Sequence, residues 1–277
     1  MSGAAPSAGG VPTSMPVSEL APDARQALRR EILRLADSKR VLGIHFSDWL
    51  LGAPSIEAGI AASAMAQDEW GHARLLYAML KDFDEDPLSI EHDRGREEYA
   101  SISALDDPLD DWADWVATVV VVDGALTTSL EGLAEGCYET ARGRIPKMLA
   151  EEGFHWDLGC AWLGRLARGS DEARSRVREE VTRLIPIAAR FVAPGDETAR
   201  CLEGAGLALP QADRADRYRG RMAEALSSLF DEGELDSCFG KAVTAGWDSG
   251  RGRAEGAPTE DAVARARGDL NRDLFVE

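Results

Sequence analysis

Two short segments of this chain carry the same pair of residue types at the same spacing. One is Glu69-x-x-His72, within Gln67-Asp68-Glu69-Trp70-Gly71-His72-Ala73-Arg74; the other is Glu152-x-x-His155, within Glu151-Glu152-Gly153-Phe154-His155. On a helix, residues three apart share a face, so each pair aims a carboxylate and an imidazole at one point. Both pairs interrupt apolar helical patterns, where an ionisable group is costly unless it meets a partner. The folds open to such a chain are those in which the two helices face each other, above all a helical bundle with a polar centre.

The flanking sequence supplies four helical seams, with apolar residues at alternating steps of four and three. The first opens at Pro22-Asp23 and reads Leu28, Ile32, Leu35, Lys39, Leu42, Phe46, Trp49, ending at Gly52-Ala53-Pro54-Ser55. The second, from about Ser55 to Phe83, reads Ala62, Met65, Glu69, His72, Leu76, Met79, Phe83 and stops at Asp84-Glu85-Asp86-Pro87. The third follows Pro108 and reads Trp112, Val116, Val119, Asp123, Leu126, Leu130, Leu133. Its run Val119 to Val122 alone could pass for a buried strand, but the length of the seam decides for helix. The fourth, Arg144 to Arg168, reads Ile145, Met148, Glu152, His155, Gly159, Trp162, Leu166. The predicted class is therefore all-α.

Between the second and third helices, residues 87–107 form a long polar connection, with a short helical piece expected near Arg94 to Tyr99. A fifth helix is predicted from Ser170 to Phe191, kinked at Pro186, and a sixth from Gln211 to Leu229. The domain plan is a loose Gly/Ala/Ser/Pro-rich tail over residues 1–20, a helical domain over 21–230 and an extension over 231–277. In the extension, Gly246 to Pro258 reads as loop and Thr259 to Phe275 as a short terminal helix.

Each of the four seams is broken near its middle by ionisable residues: Lys39, then Glu69 and His72, then Asp123, then Glu152 and His155. Matching depth on four helices predicts that they meet. Glu69, His72, Asp123, Glu152 and His155 are the candidate metal ligands, and this donor set suits iron or manganese, with zinc possible. The usual di-metal layout has a carboxylate on all four helices. Here the first helix offers an ammonium, which has no lone pair and repels a cation. Three carboxylates and one ammonium leave −2, so zero or one divalent ion is expected. Glu69, Glu152 and Lys39 are the candidate catalytic groups. A buried salt-bridge network without metal is the competing reading of the same residues.

The net charge of −18 argues against nucleic acid or an anionic membrane as partner. No apolar run is expected to span a bilayer, and no signal peptide is visible. The cysteines Cys137, Cys160, Cys201 and Cys238 lie far apart and read as reduced thiols of a cytoplasmic protein.

At these residues the chain resembles the ferritin-like oxygenase subunits of the bacterial phenylacetyl-CoA epoxidase complex. Gln67-Asp68-Glu69-x-Gly71-His72 and Glu151-Glu152-x-Phe154-His155 look like the two metal motifs of that family, as does the spacing from Asp123 to His155. The similarity covers about Leu33 to Ala167. Leu35-Ala36-Asp37-Ser38-Lys39-x-x-Leu42-Gly43 and Ser47-Asp48-Trp49 look more like the structural member of the pair; Gln67 to His72 looks more like the catalytic one. By that resemblance, the places of Lys39 and Asp123 hold a glutamate in the catalytic member. The resemblance implies a ferritin-like four-helix bundle with additional C-terminal helices. It also implies membership of a multicomponent aromatic acyl-CoA oxygenase. Its partners would be a homologous ferritin-like subunit or a second copy of the chain, a reductase component and an aromatic acyl-CoA substrate. The other two readings are a stand-alone metal oxidase and a metal-free scaffold subunit.

Several further residues are read as structural. His45 and His92 lie outside the constellation. Asp37 points to another face, as a helix-surface charge or a support for the site. Glu131 and Glu135 belong to a solvated face. Thr127, one turn after Asp123, is expected to pack on its own helix in preference to lining a dioxygen pocket, and the tryptophans to serve bundle packing or a partner interface.

Overall fold

The computed structural model describes residues 14–241, 243 and 246–274, without the side chain at position 273. The chain is an all-α, ferritin-like bundle with additional C-terminal helices. Helix α1 (Pro22–Ser47) starts with proline in its first turn, where no amide donor is lost. A short α2 (Trp49–Gly52) turns the chain into α3 (Ile56–Tyr77), whose first turn is capped by the Ser55 hydroxyl accepting from the Ala58 amide. A tighter 3-10 stretch continues from Ala78 to Phe83 and ends at Asp84 with φ of 64°.

The long connection holds α4 (Pro87–His92), capped by Asp86, and 3-10 turns at Arg96–Glu98 and Ser103–Leu105. The third bundle helix is built of α5 (Trp112–Ala117), a π-helical stretch Thr118–Asp123 and α6 (Gly124–Ala134). Asp111 caps it, accepting from the amides of Ala113 and Asp114. From Ala113 to Leu126 every residue is buried. The stretch Trp112–Ala134 is long and apolar enough to cross a membrane, contrary to the expectation that no run would be. In its most apolar 18-residue window 89% of the residues are buried inside the fold, which accounts for its composition. The fourth helix, α7 (Glu139–Ala167), begins five residues before the predicted Arg144 and runs through Pro146.

Outside the four-helix core, α8 (Asp171–Val192) runs through Pro186 and packs on α5 and the π-helical stretch. Then come α9 (Glu197–Gly204), α10 (Gln211–Leu226) and α11 (Glu232–Phe239). Neither α9 nor α11 was expected. Each is eight residues long, too short for a seam to show, and each starts at an aspartate cap, Asp196 and Asp231. The expected loop Gly246 to Pro258 contains a two-stranded antiparallel hairpin pairing Trp247–Asp248 with Arg253–Ala254. The last helix, α12 (Glu260–Arg267), is shorter than predicted because Gly268, at φ of 76°, ends it in the left-handed conformation. Phe275 lies outside the described residues.

Both ends of the described chain are tied to the bundle. The expected tail lies outside the described residues as far as residue 13; from there Val17 is buried and the Met15 amide donates to the Cys137 carbonyl. At the other end, α12 lies on α1, where Ala262 and Ala266 pack on Ile44, and Arg40 Nε donates to the Ala266 carbonyl at 2.8 Å. Arg253 pairs with Asp106. One end of the bundle is closed by aromatic rings: Trp112 stacks on Trp115 at 4.3 Å, with Phe46, Trp49 and Trp162 around them.

Candidate functional site

Four helices each deliver charge to the middle of the bundle. Lys39 comes from α1, Glu69 and His72 from α3, Asp123 from the end of the π-helical stretch, and Glu152 and His155 from α7; all six are buried. The Lys39 ammonium is the hub. Its Nζ donates to Asp123 Oδ1 at 2.5 Å, to Glu152 Oε1 at 2.5 Å and to the Glu69 carboxylate at 3.1 Å, so its three protons meet three carboxylates.

The imidazoles close the outer side. His72 Nδ1 lies 2.9 Å from Glu152 Oε1, and His155 Nδ1 lies 3.2 Å from Glu69 Oε1 and 3.4 Å from Asp123 Oδ2. These contacts are close in distance but poorly aligned as hydrogen bonds, so their value is chiefly electrostatic. Each ring also has a partner nearer the surface. His72 Nε2 lies 2.8 Å from Glu151 Oε2, and His155 Nε2 lies 3.3 Å from Asp68 Oδ2. Sequence reasoning gave Glu151 and Asp68 no role. The available signal was the mirrored pattern: an acid stands immediately before the glutamate of each motif.

Burial and pairing set the charges. Burial alone would depress the Lys39 ammonium, but Asp123, Glu152 and Glu69 outweigh it and hold its pKa well above the ordinary lysine value. Burial likewise disfavours a charged His155, and Asp123 and Glu69 reverse this, pushing it up to about 11. His72 is raised as well, burial being outweighed by Glu152 and Glu69. Among the carboxylates, burial and the neighbouring Asp123 push Glu69 up to about 7. Burial would raise Glu152 too, but Lys39 and His72 hold it well below the usual range. With every member ionised, three carboxylates balance one ammonium and two imidazoliums.

Four of these residues, Glu69, Asp123, Glu152 and His155, offer ligand atoms within 4.8 Å of one another, so the group could hold a metal. As arranged, it fits a pair of divalent ions poorly. A bound ion needs carboxylate oxygens at roughly 2.0–2.2 Å with their lone pairs turned to it. The point where those oxygens converge is taken by a proton donor, and no carboxylate comes from α1.

The other residues weighed from sequence are placed as follows. His45 Nε2 is 2.9 Å from the Leu105 carbonyl, and His92 Nδ1 is 2.9 Å from the Arg267 carbonyl; neither joins the cluster. Asp37 is no surface charge. It is buried, and it accepts from Arg94 through both oxygens, from the Tyr77 hydroxyl at 2.6 Å and from the Ala100 amide at 2.7 Å. Through these bonds it ties the long connection to α1. Thr127 does not pack on its own helix; its hydroxyl donates to Glu152 Oε2 at 3.1 Å. Glu131 pairs with Arg221 and Glu135 with Arg217, both partly open to solvent.

A shallow cleft of about 120 Å³ between α6, α7 and α10 reaches Asp123, Thr127 and Glu152, with Trp156 and Arg221 on its outer wall.

Comparison with known proteins places this geometry. The sequence profile described as "Phenylacetic acid catabolic protein" matches residues 14–232. The chain is similar to two components of the 1,2-phenylacetyl-CoA epoxidase of Escherichia coli (strain K12). It is 28% identical over 191 residues to the A-type subunit, covering 68% of this chain and 61% of that one. It is 26% identical over 181 residues to the C-type subunit, covering 64% of this chain and 72% of that one. The two identities differ too little to assign it to either type, and the chain spans under two thirds of the length of the A-type relative. With a profile match over most of its length and the paired Glu-x-x-His motifs facing each other inside a four-helix core, the chain belongs to the phenylacetic acid catabolic protein family.

Proposed function

We propose that this chain is a subunit of a cytoplasmic oxygenase complex of the phenylacetyl-CoA epoxidase type, and that within it the chain supports the oxygen-activating subunit. The observation that carries the supporting role is the Lys39 ammonium, hydrogen-bonded to Asp123, Glu152 and Glu69 where an ion would sit. In this reading Glu69, Glu152 and Lys39, together with Asp123, are the interior tie of four helices. The ligand set Glu69, His72, Asp123, Glu152 and His155 takes no iron or manganese while Lys39 is in place, and at most one ion if it withdraws. A homologous ferritin-like chain, a reductase and an aromatic acyl-CoA then belong to the complex as a whole.

The exposed aliphatic patch of Leu50, Leu51, Ile56 and Ile60 on α2 and the start of α3 supports a partner chain. Elemental analysis of the purified chain, with size measurement alone and with a candidate ferritin-like partner, tests the reading. Substoichiometric metal with tight association agrees with it. Stoichiometric iron or manganese with oxygen consumption by the isolated chain refutes it and favours the stand-alone oxidase.

A further inference from the structure

A second buried charge cluster lies apart from the Lys39 hub, where α10 enters the fold. It consists of Glu31 and Arg34 on α1 and Arg214 on α10, each no more than 2% exposed. Arg34 is mostly satisfied: Nη1 is 2.5 Å from Glu31 Oε2, Nη2 donates to the Phe191 carbonyl at 2.9 Å, and the guanidinium lies 4.1 Å from the Phe191 ring centre. Its Nε has no partner.

Arg214 is in a poorer position. Among the described residues its one ion pair is with Glu31 Oε1 at 3.6 Å, too long for a hydrogen bond. Its Nε is likewise buried without a partner.

Two guanidiniums against one carboxylate leave one positive charge inside the protein, and a guanidinium cannot shed its proton to relieve it. The nearest other acids, Glu203 and Asp196, act on Arg214 only through space and form no ion pair or hydrogen bond with it among the described residues. Asp196 accepts from Trp247 Nε1 and the Ala199 amide, and Glu203 from the Gln211 amide. The cluster is built in, not an accident of the surface. Glycines on two other elements lie against the arginine stems, and a Cβ at Gly132 or Gly252 would come within 2.6 Å of Arg214 Cδ or Arg34 Cδ.

We propose that Arg34 and Arg214 together hold a small monovalent inorganic anion, of the halide class, buried between α1, α6 and α10. A water molecule would satisfy the free N–H groups but leave the charge. A monovalent anion answers both, and the surrounding packed helices exclude a large one. Its role is to pin α10 to α1.

Thermal melts of the full chain in sodium chloride and in sodium gluconate at matched ionic strength test this. Chloride is expected to raise the midpoint with the logarithm of its concentration above the dissociation constant, by roughly 5–10 °C at a hundredfold excess. Gluconate, too large to enter, is expected to give only the general salt response. Arg214→Met leaves Arg34 and Glu31 as a neutral pair and is expected to abolish the difference between the two salts. Equal responses in the parent, or a chloride-specific response that survives in Arg214→Met, overturn the proposal. Should that variant not fold, crystals of the parent grown in bromide decide. An anomalous peak within hydrogen-bonding distance of both guanidiniums supports the site, and its absence overturns it.

Discussion

Replacing Lys39 with methionine keeps the volume of the side chain and removes the charge that three carboxylates share. Glu69, Asp123 and Glu152 then face one another inside the bundle with only the two imidazoles to balance them. Removing one partner from a buried ion pair costs about 3–5 kcal/mol, because the other charge stays behind unpaired. Three carboxylates are left here, so the upper part of that range is expected. The loss is comparable to much of the roughly 5–15 kcal/mol that holds a typical domain together. For a chain of this size each kcal/mol moves the melting midpoint by about 2–4 °C, which gives a fall of roughly 10–20 °C at pH 8.

Acid should return part of it. Glu69 already has its pKa raised to about 7, and losing Lys39, which pulls it down, raises it further. A carboxyl with a raised folded pKa contributes stability that is fully present below its unfolded value and lost as pH rises through the folded one. The variant should therefore regain stability between pH 8 and pH 6, and manganese should do the same at pH 8. Urea titrations at the two pH values, with and without metal, measure these quantities. A Lys39→Met protein within about 1 kcal/mol of the parent at pH 8, and insensitive to acid, would refute the hub as drawn.

Three further outcomes are expected. Lys39→Glu puts a fourth carboxylate at the centre; by elemental analysis it should bind more iron or manganese than the parent, and without metal it should melt lower. His155, pushed up to about 11, should keep its ring proton at pH 9; its stabilisation is fully present below about 6.5 and lost as pH rises through about 11, and ring carbon and nitrogen shifts in NMR report it directly. A double substitution of Leu51→Asp and Ile60→Asp, on side chains 95% and 60% exposed, should leave the melting midpoint almost unmoved yet weaken association with a partner chain at least about tenfold in sedimentation.

The four seams were legible because each runs for about six turns with five or six apolar positions, and the interruption of each at the same depth foretold that Lys39, Glu69, Asp123 and Glu152 would come together. What escaped was of another kind. Helices of eight residues, α9 and α11, give no periodicity to count, only their aspartate caps. The outer partners of the imidazoles are set by how α3 and α7 lie side by side, which spacing along one helix does not encode. Asp37 and Thr127 were misjudged for the same reason: their partners, Arg94 and Glu152, come from other segments. The profile match and the two relatives agree on the family, and the central lysine distinguishes this chain from the usual four-carboxylate layout.

The π-helical stretch Thr118–Asp123 has a consequence for how such a centre can change. A wide turn holds one residue more than a regular α-helical turn, so everything after it is turned by about 100° from where an unbroken helix would put it. The four consecutive valines inside the stretch are uniformly apolar and buried, so losing any one exposes no polar group to the core. Deleting a single codon there would convert the wide turn to a regular one. Asp123 would still reach Lys39, because the wide turn absorbs the one residue that is lost. In this fold the third helix can thus shed one valine with its carboxylate still at the centre, whereas a second deletion, from the helix then regular, would turn that carboxylate away by about 100°.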